Sequence, residues 1–66
     1  MGNYVHVDAE RVEKVTVKAI LFVIDGVDVW IPLSQISPAD RDQYEAGDKD
    51  VSVCITEWIA QQKGLL

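Results

Sequence analysis

The sequence predicts a mainly β domain: a small, twisted antiparallel sheet or half-open barrel of three to four strands, followed by a C-terminal helix. Three observations carry this. The stretch from Arg11 to Ile24 is dominated by β-branched and apolar residues and contains no Gly or Pro, a strand composition. Asp25-Gly26 follows it directly, and Asp-Gly is a strong two-residue hairpin signal because a type I′ turn needs positive φ at both central positions. Near the end, Thr56-Glu57 and Gly64 bracket a short helical stretch, with Thr as N-cap, an acid in the first turn and Gly at the left-handed stop. At 66 residues the chain is expected to form a single domain spanning 1–66.

The elements follow in order. Tyr4–Val7 alternates polar and apolar residues and reads as a short first strand, with Asp8-Ala9-Glu10 as a polar connection. Arg11–Ile24 reads as one long, bent strand, and Val27–Leu33 as its return, with Pro32 near the end, where a strand tolerates it. Ser34–Asp50 is a polar connection. Within it, Ser37-Pro38 resembles a helix start and Gly47 a stop, which predicts a short helical turn over Pro38–Glu45. Val51–Ile55 alternates again as a third main strand. Glu57–Lys63 is expected to be two turns of helix, with Trp58, Ile59 and Leu65 packing back on the sheet.

The hairpin register carries most of the information. A two-residue turn pairs Ile24 with Val27, Phe22 with Val29 and Ile20 with Ile31, and cross-strand partners share a face. One face is then Ile20, Phe22, Ile24, Val27, Val29 and Ile31, all apolar. The other carries Val17, Ala19, Leu21, Val23, Asp28 and Trp30, and is also largely apolar. A hairpin covering a single core shows a polar second face. The expectation is therefore that a homo-oligomer buries the second face. Chain length points the same way, since a domain this short buries only about 60% of its unfolded surface and gains from added contacts.

Composition narrows the chemistry. Cys54 is the only cysteine and His6 the only histidine, so neither an internal disulfide nor a four-ligand zinc site can form. Net charge is −5, and the basic residues Arg11, Lys14, Lys18, Arg41, Lys49 and Lys63 are scattered, which disfavours a nucleic-acid phosphate backbone as ligand. The first ten residues contain no apolar signal core, and no apolar run approaches the ~20 residues of a membrane span. A cytoplasmic location is expected. Asp40, Asp42, Glu45, Asp48 and Asp50 do not follow the spacing of a calcium loop and read first as a solvated acidic loop; the alternative is an acidic docking surface that meets a basic partner or mimics the charge of nucleic acid. Cys54 between Val53 and Ile55 reads as a small buried hydrophobe, and no motif supports a Cys54/His6 nucleophilic pair. No catalytic residue, cofactor site or metal site is expected. The candidate partner or ligand surface consists of Trp30, Leu21, Val23, Asp28 and Trp58, with Asp40, Asp42 and Glu45 of the acidic loop.

The runs Lys18–Gly26, Trp30-Ile31-Pro32-Leu33-Ser34-Gln35-Ile36 and Glu57–Leu65 are similar to a family of short uncharacterised bacteriophage and prophage proteins with a WIPxSQI and EWxAxxKGL pattern. The resemblance covers about two-thirds of the chain. It departs from the family at Leu33, often a lysine there, and at Ile24 and Val27, where the turn's flanks are often acidic. The resemblance implies a phage context and no residue roles. Together with size, acidity and the doubly apolar hairpin, that context predicts a non-enzymatic inhibitor of host antiviral immunity. Such an inhibitor would work in the host cytoplasm by occluding a host protein or by sequestering a small signalling molecule between subunits. The second expectation is an accessory factor of phage replication or recombination.

Overall fold

A computed structural model describes residues 3–65. The chain forms β1 (Tyr4–Val15), β2 (Ala19–Ile24), β3 (Val27–Pro32), a 3₁₀ turn (Leu33–Gln35), β4 (Lys49–Thr56) and α1 (Glu57–Gln62). The strands make one antiparallel sheet in the order β3-β2-β1-β4. It is curled but open, as the strand pattern predicts, and does not close into a barrel.

The β2–β3 hairpin has the expected turn and register. Asp25 (φ 52°) and Gly26 (φ 76°) both adopt positive φ, and Ile24 pairs with Val27, Phe22 with Val29 and Ile20 with Ile31. The strand break before β2 lies elsewhere than the polarity pattern suggests. β1 runs unbroken through Asp8–Glu10, because Ala9 turns into the core opposite Val51 while Asp8 and Glu10 point to solvent. The Glu10 carboxylate accepts a hydrogen bond from the Gly26 N–H at 2.9 Å, which fastens β1 to the hairpin turn. The break falls at Thr16–Lys18. There the Thr16 N–H donates to the Ala19 carbonyl at 2.9 Å. The Thr16 hydroxyl donates to the same carbonyl at 2.7 Å and accepts from the Lys18 and Ala19 N–H groups. A threonine side chain thus supplies the turn that Gly or Pro usually mark.

A bulge between Val12 and Lys14 bends β1, as bulges do. Its first part, from Tyr4, pairs with β4, and Arg11–Val15 pair with β2. The sheet's concave side holds the core, where Phe22, Ile20, Ile31, Ile36, Ile55, Val12 and Val53 are fully buried. Two core members come from the segment that reads as a polar connection. Ile36 bridges to Ile55 on the outer edge of β4, next to a bond from the Ser37 N–H to the Cys54 carbonyl at 2.8 Å. Tyr44 closes the other side of the core, its ring edge-on to Phe22 at 5.4 Å and 85°. Arg41 holds this loop together by donating to the carbonyls of Ile36 (3.0 Å) and Ser34 (3.4 Å). The expected helical turn over Pro38–Glu45 is a run of tight turns instead. Only Ala39 and Tyr44 are apolar there, so no helical stripe exists to bury.

α1 forms as its caps predict. The Thr56 hydroxyl accepts from the Ile59 N–H at 3.2 Å. Gly64 (φ 71°) ends the helix, and the Leu65 N–H returns to the Ala60 carbonyl at 2.8 Å. Ile59 and Ala60 are buried, but Trp58 is 58% exposed, contrary to its expected packing on the sheet. On a helix of six residues the arc from Ile59 to Ala60 faces the core, and Trp58 lies about 100° beyond it. No helix among the described residues is long and apolar enough to cross a membrane.

The turn makes the register testable. A Cβ on Gly26 meets nothing within 4 Å, so Gly26→Ala carries only the cost of a left-handed alanine, about 1 kcal/mol. Urea unfolding should show that loss with an unchanged slope. A changed slope would mean that the hairpin had adopted another register.

Candidate functional site

The convex side of the β2–β3 hairpin carries four of the eight residues singled out from the sequence. The strand pairings arrange them in two rows across the sheet: Lys14, Leu21 and Trp30 in one, Arg11, Val23 and Asp28 in the next. No layer of structure lies over them, yet Leu21 is 8% and Val23 3% exposed, and both stand apart from the core cluster. β2 is a central strand, and long side chains flank both residues within each row. The pairing sets Arg11 and Lys14 on one side of them and Asp28 and Trp30 on the other, and long amphipathic side chains at such positions cover apolar neighbours with their stems. The demand for a covering partner is therefore smaller than the sequence pattern suggests. What remains open on this hairpin is chiefly Trp30 (42% exposed) and Val27 (59%).

This face carries one ion pair among the described residues. Arg11 forms an ion pair with Glu13. That hydrogen bond and the Glu13 charge raise the guanidinium above its ordinary value, with smaller pulls from Glu10 and Asp28.

β3 is an edge strand, and the direction of its peptide groups follows from the turn. The pair flanking a two-residue turn is hydrogen-bonded, and such pairs alternate with non-hydrogen-bonded ones. Ile24–Val27, Phe22–Val29 and Ile20–Ile31 are thus the bonded pairs. The same series continues in the bond from the Leu33 N–H to the Lys18 carbonyl at 2.8 Å. The N–H and C=O groups of Asp28 and Trp30 consequently point away from β2, along the free edge. Pro32 shares their orientation, where its missing N–H costs nothing.

The structure does not bring the other candidates to this face. Trp58 lies on α1, which packs on β4 and β1, whereas Trp30 lies on the opposite edge strand. Asp40, Asp42 and Glu45 lie in the 38–48 loop, where the Glu45 N–H donates to the Asp48 carboxylate at 2.9 Å. Among the described residues no group of three or more His, Cys, Asp or Glu side chains could hold a metal ion. His6 and Cys54 are direct cross-strand partners. His6 is exposed and Cys54 half-buried rather than buried, because Cys54 alternates with the inward-facing Val53 and Ile55. No hydrogen bond joins His6 to Cys54 or to Asp8 among the described residues. A solvent-open depression on β1 and β4, lined by Asp8, Ala9, Asp50, Val51 and Ser52, carries two carboxylates and encloses nothing. No family model, curated protein or solved structure matches the chain.

Sequence reasoning missed Tyr44. Its one signal is that it is the only aromatic residue between Ser34 and Asp50. Its hydroxyl donates to the Ser52 carbonyl at 2.9 Å. Its pKa is pushed up to about 12 by burial, helped by the neighbouring Asp40 carboxylate. The unfolded chain releases this proton near 10.0, so the stability tied to the protonated phenol is complete below that pH and is lost as pH rises towards 12. Tyr44→Phe should cost about 1 kcal/mol at neutral pH. Urea midpoints followed through the alkaline range should then show wild type and variant converging. Parallel curves would contradict the assignment.

Proposed function

We propose that this chain is a small, non-enzymatic, phage-encoded binding protein that inhibits host antiviral immunity by occluding a host protein in the host cytoplasm. Its contact surface is the convex face of the β2–β3 hairpin. The observation that carries the binding mode is Trp30: a half-exposed tryptophan on an edge strand, in one cross-strand row with Leu21 and Lys14 and next to the row of Asp28, Val23 and Arg11. An exposed tryptophan with apolar and charged neighbours, arginine among them, is of the composition enriched where binding energy concentrates at protein interfaces. The phage context and the immune target rest on the sequence resemblance; the geometry bears on how the surface binds. Sequestration of a signalling molecule has weaker support, because the depression on β1 and β4 is open and acid-lined, whereas small-ligand sites are concave and largely apolar. Nucleic-acid binding has weaker support too, since Arg11 on this face is already paired with Glu13.

The test uses bacteria carrying single defence systems and a phage that each system restricts. Wild-type protein should restore plaque formation against at least one system and co-purify with one of its components. Trp30→Ala should keep the fold and lose about 2 kcal/mol of binding, roughly 30-fold in affinity. Trp58→Ala should bind like wild type. Full restriction by every system, or equal binding by Trp30→Ala, would overturn the proposal. Co-purification with a replication or recombination protein instead would move the same surface to a different partner.

A further inference from the structure

We propose that two copies of this chain pair along β3, antiparallel and two-fold symmetric about Val29, so that two four-stranded sheets become one continuous sheet. This goes beyond the binding reading and does not depend on it, because edge pairing leaves both convex faces open.

The free edge itself is the first argument. The peptide groups of Asp28 and Trp30 point outward, and no hydrogen bond within the chain reaches them among the described residues. Natural sheets blunt such edges with lysines, prolines, bulges or covering loops. The outer edge of β4 is covered in this way by Ile36 and Ser37. β3 has no lysine and no bulge, its one charged residue is Asp28, and its proline stands at its last position, Pro32.

The register selects a second copy as the occupant. Outward-facing residues must pair with outward-facing residues, which puts the two-fold axis on a residue, and the three residues Asp28, Val29 and Trp30 give the registers with the longest overlap of the two strands. An axis at Asp28 sets that carboxylate directly opposite itself, which is destabilising, and places Trp30 opposite the turn glycine Gly26. An axis at Trp30 sets Asp28 opposite Pro32, which has no N–H to donate. An axis at Val29 pairs Asp28 with the other copy's Trp30, twice, and satisfies all the outward N–H groups of Asp28 and Trp30 against carbonyls. Val29 then faces its counterpart as a close, non-hydrogen-bonded pair. Val27, the exposed member of the hairpin's core face at 59%, comes to lie opposite the other copy's Ile31. A chain of 66 residues, of a size that buries only about 60% of its unfolded surface alone, gains by such growth of the sheet.

Charge gives the proposal a distinguishing sign. Each copy carries −5, so the two repel, and added salt screens that repulsion. Dimerisation should therefore strengthen with salt, whereas a dimer built on complementary charges would weaken.

The experiment is sedimentation of the full chain over a concentration series at low and high salt, combined with cysteine cross-linking in a Cys54→Ser background. The expected result is a monomer–dimer equilibrium that shifts towards dimer with salt. Asp28→Pro removes an N–H that β2 does not use and should weaken dimerisation about tenfold or more. Val29→Cys should oxidise readily to a linked dimer, because a non-hydrogen-bonded antiparallel pair brings Cα atoms to about 4.5 Å, within disulfide reach. Asp28→Cys should not, since in this register the two copies of residue 28 lie diagonally, beyond the roughly 7 Å limit. A monomer at every concentration and salt would overturn the proposal, as would cross-linking through residue 28 as fast as through residue 29. If Asp28→Pro fails to fold, the two cysteine variants still decide the register.

Discussion

The Asp25-Gly26 turn fixes the pairing of β2 with β3, and nearly everything else in the domain inherits that choice. Side chains alternate with a period of two along a strand, so a slip of one residue would exchange the two faces of β3. With the turn in place, Ile20, Phe22, Ile24, Val29 and Ile31 line the concave side together, and Leu21, Val23, Asp28 and Trp30 line the convex side. The same register decides which peptide groups bond inward and which are left at the edge. Glu10 reaches from β1 to the Gly26 N–H and joins this turn to the strand next to the hairpin.

A single curled sheet has only one side that can hold a core, and something must fill it. The filling comes from three separate pieces: Ile36, Tyr44, and the Ile59-Ala60 arc of α1. Phe22 is among the fully buried residues of that core, and its edge-to-face contact with Tyr44 adds about 0.5–1.5 kcal/mol beyond the area it buries. The Tyr44 hydroxyl and the Arg41 guanidinium each satisfy carbonyls of neighbouring segments, so the long connection between β3 and β4 is held by side chains rather than by a helix. The convex side has no such layer. Leu21 and Val23 lie there on a central strand between strands with long side chains, which leaves Trp30 at the margin as the exposed large aromatic of the hairpin.

Some of this was legible in the sequence because the signals are local and stereochemical. Asp-Gly requires a particular turn, Thr56 and Gly64 cap a helix by known geometry, and alternating Val51-Ser52-Val53-Cys54-Ile55 is a half-buried strand. The misses share a different cause. Thr16 makes a turn through its hydroxyl, which composition does not reveal in a run of β-branched residues. Ala9 is too small to announce itself as a core residue between two acids. Ile36 and Tyr44 enter the core as single residues, with no period to detect, and Trp58 sits beyond the buried arc of a helix too short to bury more. For the candidate site, Leu21, Val23, Asp28 and Trp30 were legible as a group because register alone unites them. Trp58 and the acidic residues Asp40, Asp42 and Glu45 were chosen by residue type, and the fold does not join them to the hairpin face.

Register, core and free edge are one claim, and amide hydrogen exchange of the dilute, monomeric chain tests it most directly. Along β3 the account predicts alternation. The Val29 and Ile31 amides, bonded to β2, should exchange slowly, and the Asp28 and Trp30 amides, facing water, should exchange at rates near those of unprotected peptide groups. Slow exchange at Asp28 and Trp30 with fast exchange at Val29 and Ile31, or uniform protection along the strand, would contradict the register and everything built on it.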